Sequence, residues 1–281
     1  MIIETFKTWA GEIKHLLTTP RALALLAALY AVLLATLYGF ISIREATVSQ
    51  VAITYIFFVL IPIEFFVLQA AILHCAHTQK FHWPQIVRDA IKLAVITIPI
   101  VLLGFLVAYL LNKWQAHYPA PLPPLSLPGT RTPPPAQPLH WPTVLFATVR
   151  LLLLAVALPL AAIHLWIEVA AQDARSSFSG GAKSVLQRFG NAFARAFAFD
   201  SVLTFALGLI VFVVVPYEVL FLGHPPKGNK TDFAVFIARL LLVFLFTLIG
   251  WIVTLTMLAK LEPPPPVTVT KVSEARVEAA A

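Results

Sequence analysis

Cysteine occurs once in the 281 residues, as Cys75, so no disulfide closes within the chain and the redox compartment is left open. Charge is scarce as well: 12% of residues are Asp, Glu, Lys or Arg, against about 25% in a water-facing domain. That scarcity excludes a soluble surface, and a soluble helical core fails separately. A soluble helix needs a polar face, and Leu151–Ala162 is apolar all round. The alternating polarity of a membrane-spanning barrel strand is missing too. No His-Glu-x-x-His, Gly-x-Ser-x-Gly or paired Asp metal motif occurs. Gly181-Ala182-Lys183-Ser184 ends like a phosphate-binding loop, but Ala182 and Ser177 stand where that loop needs glycine.

What is present is hydrocarbon. Hydrophobic residues make up 59% of the chain and the mean hydropathy is +0.86. Six long apolar stretches cover residues 21–43, 49–74, 91–112, 143–171, 201–223 and 232–261. A spanning helix takes about 20 such residues, and every stretch is long enough. The sequence therefore predicts an all-α integral membrane protein with six transmembrane helices. Glu4 and Glu12 make the first 20 residues too polar for a signal-peptide core, so the first span is expected to stay in the mature protein.

Three segments beside the spans add interfacial amphipathic helices to that fold. In 182–199, Leu186, Phe189, Phe193 and Phe197 share one helical face against Ser184, Gln187, Asn191 and Arg195. Phe6, Trp9, Ile13 and Leu16 do the same against Lys7, Glu12 and Lys14 in residues 1–20. Trp83, Ile86, Val87 and Ile91 do so more briefly against Gln85, Arg88, Asp89 and Lys92. Aromatic anchors with a basic polar face suit the membrane interface. One such helix before each pair of spans suggests a threefold repeat over 1–77, 78–173 and 174–261, carried by pattern rather than residue identity.

The basic residues set the expected orientation. Lys7, Lys14, Arg88, Lys92, Arg188 and Arg195 are among the many on the N-terminal side, whereas Arg44, Lys113, Arg131, Lys227 and Lys230 fall opposite. The positive-inside rule then places the three amphipathic helices and both termini in the cytoplasm of a cell, read as bacterial from its short loops. A net charge of +7, scattered singly, suits anionic lipid headgroups and argues against nucleic acid as a partner. A protein partner or homo-oligomer is left open. The Pro-rich segment 113–142 reads as an extended external spacer, and the tail 262–281 as disordered.

Ionisable groups at membrane depth are costly and become site candidates by default. Glu64 lies about 14 residues into the second span, or roughly 20 Å along it. It needs a proton, a base or a hydroxyl from another helix. Arg150, Glu218 and Arg239 fall in one layer toward the outer surface, where Glu218 is expected to pair with either arginine. His164 and Glu168 form an i, i+4 pair near the inner end of the fourth span. Pro62, Pro99, Pro159 and Pro216 are hinge candidates inside four spans, and Glu64 and Glu218 share a Pro-x-Glu pattern. His74, Cys75, His77 and His82 cluster at one end of the second span, but their spacing matches no zinc arrangement, so neither metal nor cofactor is expected. Glu168-Val169-Ala170-Ala171 resembles the loop by which bacterial ABC-importer permeases dock on their ATPases; Ala174 stands where that loop carries glycine, and no residue role follows from it. The chain thus reads as a non-enzymatic structural or accessory membrane component. The alternative is a small-solute permease or channel-forming subunit with Glu64 on the path.

Overall fold

The computed structural model describes residues 2–44, 47–78, 81–119, 139–171, 181–221 and 230–261. Most of the Pro-rich segment, at 120–138, and the tail 262–281 lie outside the described residues, as does the side chain of His77. All regular structure among the described residues is helical. In chain order the helices are α1 (Ile2–Thr18), α2 (Pro20–Ser42), α3 (Val48–Thr78), α4 (Trp83–Gln115), α5 (Trp141–Ala170), α6 (Gly181–Ala196), α7 (Phe199–Phe221) and α8 (Lys230–Leu261). Six of them, all but α1 and α6, are long and apolar enough to cross a membrane. This is a multi-pass helical membrane protein, and its candidate spans coincide with the apolar stretches to within a few residues, except for α4.

Local sequence accounts for the breaks. Between α1 and α2, Thr19 leaves helical geometry at φ −112° and ψ 66°, and Pro20 opens α2 at a position where its missing N–H costs nothing. Between α6 and α7, Ala198 is extended at φ −63° and ψ 136°. No such break separates Trp83–Lys92 from the span behind it. Residues 85–98 hold neither glycine nor proline, and α4 runs unbroken for 33 residues. The expected separate interfacial helix is therefore the first part of α4. Its buried face is also different, formed by Ile86, Ala90 and Leu93, while Trp83, Val87 and Ile91 are exposed. The middle unit of the expected threefold repeat thus lacks the separate helix found at α1 and α6.

The core sits toward one end of the bundle, here termed proximal, where α1 packs on the C-terminal turns of α8. Buried side chains gather there, over Leu68–Leu73 of α3, Leu160–Ile167 of α5 and Ile252–Leu258 of α8. Small residues, Ala70, Ala71, Ala161 and Ala162, let these helices approach closely. The opposite, distal half is open: Phe105 and Tyr109 of α4, Leu145 of α5 and Phe233 of α8 are 62–70% exposed. There α4 stays with α5 and α7 with α8, as sequence neighbours. Near the middle, α7 and α8 touch through glycine. A Cβ on Gly208 would lie 2.8 Å from Thr254 Cγ2, and one on Gly250 2.9 Å from Val211 Cγ1.

Candidate functional site

Several polar side chains in the spans join one helix to another. Glu64 of α3 accepts a hydrogen bond from Thr36 Oγ1 of α2 at 3.0 Å, a hydroxyl partner of the kind the sequence required. Thr36 also lies 3.1 Å from the Val32 carbonyl, so its single hydrogen serves two acceptors. The second oxygen of Glu64, Oε2, is sealed from solvent and has no hydrogen-bond partner. Phe65 and Phe66 follow it and stack edge-on against Trp166, closing α3 against α5.

Tryptophan supplies two further ties. Trp251 Nε1 of α8 donates to Gln69 Oε1 of α3 at 2.8 Å, and Trp166 Nε1 of α5 donates to Thr97 Oγ1 of α4 at 2.8 Å. Gln69 is 1% exposed, a position where an unsatisfied amide is expensive. His164 is likewise buried, and its Nε2 lies 3.1 Å from Ser201 Oγ of α7. Glu168, one turn on, faces Arg188 and Arg195 of α6 at 3.8 and 3.9 Å. The His164–Glu168 spacing thus serves two different neighbours, fixing α5 to α7 and to α6.

The expected outer ion pair is not formed. Arg150 of α5 donates to Asn112 Oδ1 at 2.5 Å and Gln115 Oε1 at 3.1 Å, both on α4. Among the described residues, Glu218 makes no ion pair with Arg150 or Arg239. The reason lies in the open distal half. Glu218 is exposed on α7, and Arg150 finds neutral oxygens on the adjoining helix instead.

The prolines divide into two pairs. Pro159 and Pro216 each follow a π-helical turn, at Leu151–Ala157 and Ile210–Val214. In both, the residue before the proline sends its N–H five residues back, from Leu158 to Leu153 and from Val215 to Ile210. A proline ring crowds the carbonyl four residues earlier, and a widened turn relieves that clash. Pro62 and Pro99 lie on exposed faces of α3 and α4, which continue through them as α-helix. The Pro-x-Glu coincidence is therefore not a shared local structure.

Two ion pairs were not singled out by sequence. Lys92 and Asp89, on the polar face expected of an interfacial helix, pair at 2.8 Å with side chains only 6% and 13% exposed. Lys260 at the end of α8 pairs with Glu12 of α1. Thr36, Gln69, Thr97 and Ser201 are neutral and carry no charge signal in the sequence. The missed signal was tryptophan, since an indole N–H in an apolar stretch demands an acceptor on a neighbouring helix. The His74 and His82 rings meet edge-on at 6.1 Å, and among the described residues no three metal-type ligands converge. No family model, curated protein or solved structure matches this chain.

Proposed function

We propose that this chain is a non-enzymatic structural or accessory component of the membrane. One observation carries the reading: the deepest carboxylate, Glu64, is half-buried and spent on a tie between α2 and α3, with its other oxygen, Oε2, shielded from solvent. An ionisable group on a solute path would face water. The positive-inside rule, applied to exposed Lys7, Lys14 and Arg88 at the proximal end, supports a cytoplasmic placement of that end and of both termini. Short loops favour a bacterial inner membrane, with anionic headgroups as the contacting lipid.

A second reading, a small-solute permease or channel-forming subunit, draws on the partnerless Oε2 of Glu64. Glu64→Gln separates the two. In a structural component the variant shifts the melting temperature in detergent, and proteoliposomes of either form show no solute-dependent swelling beyond lipid alone. Swelling that is present in the wild type and lost in Glu64→Gln, at an unchanged melting temperature, overturns the structural reading in favour of the permease.

A further inference from the structure

The proximal end holds a cavity that none of the ties fills. Its volume is about 450 Å³, within the roughly 300–1,000 Å³ of small-molecule sites. Four helices wall it, and its polarity is graded along them. By position along the helices, Leu26, Ile72 and Val253 lie toward the middle of the bundle, whereas Glu12, Thr19, Thr256 and Lys260 lie toward its proximal end. Thr19, the residue before α2, precedes Leu26 by seven residues, and Val253 precedes Lys260 on α8 by the same step, or about 10 Å of helix. The cavity therefore offers an apolar interior and a polar rim.

Among the described lining residues the rim holds one lysine and one carboxylate, joined to each other. Lys260 pairs with Glu12, whose side chain is 16% exposed, while the lysine side chain remains 55% exposed. An ammonium has three donors, so Lys260 keeps donors for a second oxygen beside Glu12, the one carboxylate among the described lining residues. Lys7 and Lys14 of α1 and Arg21 of α2 are exposed close by in sequence, in a chain of net charge +7. A hydrocarbon slot with an exposed lysine at its rim, next to a basic stretch of sequence, suits an anionic amphiphile.

We propose that this cavity binds one acyl chain of an anionic amphiphile, with the chain against Leu26, Ile72 and Val253 and the head oxygens on Lys260. Such a ligand reaches the site either as a membrane phospholipid or as a free fatty acid, and the chemistry is common to both. The site stands apart from the accessory role and does not depend on it. Two residues make it testable. Cys75 is the only thiol in the chain and lines the cavity, so its alkylation reports occupancy. Gly11 also lines it, and a Cβ there meets nothing within 4 Å, which leaves room for a filling side chain.

The protein is placed in phosphatidylcholine nanodiscs, and Cys75 is labelled with a maleimide. Adding phosphatidylglycerol is expected to slow labelling at least threefold. Slowing by palmitate as well identifies any anionic chain as ligand, and slowing by phosphatidylglycerol alone identifies a phospholipid. Lys260→Gln removes the slowing, Lys260→Arg keeps it, and Gly11→Phe slows labelling in every lipid. Equal rates with and without both anionic amphiphiles, or slowing undiminished in Lys260→Gln, overturn the proposal. Should Cys75 resist labelling throughout, native mass spectrometry decides. Wild type then retains more phosphatidylglycerol than Gly11→Phe does, and equal retention overturns the site.

Discussion

In the proximal half, α3 and α5 carry the small residues Ala70, Ala71, Ala161 and Ala162, while Trp251–Gln69 ties α8 to α3 and His164–Ser201 ties α5 to α7. In the distal half, α4, α5 and α8 present Phe105, Leu145 and Phe233 outward, and the main contacts are between sequence neighbours. Both halves are strongly apolar, so hydropathy does not separate them. Lipid tails are as apolar as leucine, and apolar surface alone gives two helices no reason to associate. Close approach over small residues, with buried hydrogen bonds, supplies the attraction. Large side chains at the distal end turn to lipid instead.

Truncation of a packed leucine should give the largest contrast. Leu255 is 0% exposed and Leu102 is 62% exposed. Leu255→Ala leaves a cavity and should cost about 2–5 kcal/mol. Leu102→Ala exchanges contacts with lipid and should stay within about 0.5 kcal/mol. Chemical denaturation in mixed micelles measures both, and similar losses at the two positions would show that the distal half packs as tightly as the proximal one.

Glycine sharpens the contrast at the next level. Thr254, against Gly208, is fully buried, and its Oγ1 is held at 2.6 Å by the Gly250 carbonyl, so it has little freedom to yield to a new methyl. Gly208→Ala should cost about 1–3 kcal/mol by overpacking. At Gly104 a Cβ would meet Leu158 Cδ1 at 3.5 Å, an ordinary contact. Gly104→Ala should therefore stabilise by up to about 1 kcal/mol through helix propensity. Opposite signs are the expected outcome, read from the denaturation midpoints.

These contrasts also mark what the sequence disclosed. Six helices were legible because about 20 apolar residues in a row have one economical solution in lipid. Which faces would meet was not, because residues such as those of α3 are apolar on every side. Ala70-Ala71 and Ala161-Ala162 carried that information, and charge drew attention from it. Glu64 and His164 were found as candidates, but their partners Thr36 and Ser201 are neutral and ordinary in sequence. Trp83–Lys92 misled for another reason. Its polar residues suggested a surface helix, while Lys92 folds back onto Asp89 and lets the rod continue.

Ties should differ as packing does. Trp251→Phe strands the buried Gln69 amide and should cost about 1–3 kcal/mol. Arg150→Gln frees Asn112, which is exposed, and Gln115, which is half-buried, so solvent replaces much of the loss. Below about 1 kcal/mol is expected there. A larger loss at Arg150 than at Trp251 would reverse the assignment of which half holds the fold together.

The smallest expected effect tests the openness of the distal half most directly. Glu218 is exposed on α7 and Arg239 half-buried on α8, with no ion pair between them. Glu218→Gln and Arg239→Gln should each change stability by no more than about 0.5 kcal/mol, and their effects should add. The sequence alone predicted otherwise, a shared pair whose second loss adds little to the first. A double-mutant cycle in liposomes and in detergent chooses between them. Additivity in both media means the distal helices stand apart in a bilayer. A coupling above about 0.5 kcal/mol that appears only in liposomes means lateral pressure draws α7 and α8 together there. The open half would then be the relaxed form of a bundle that closes when surrounded by lipid.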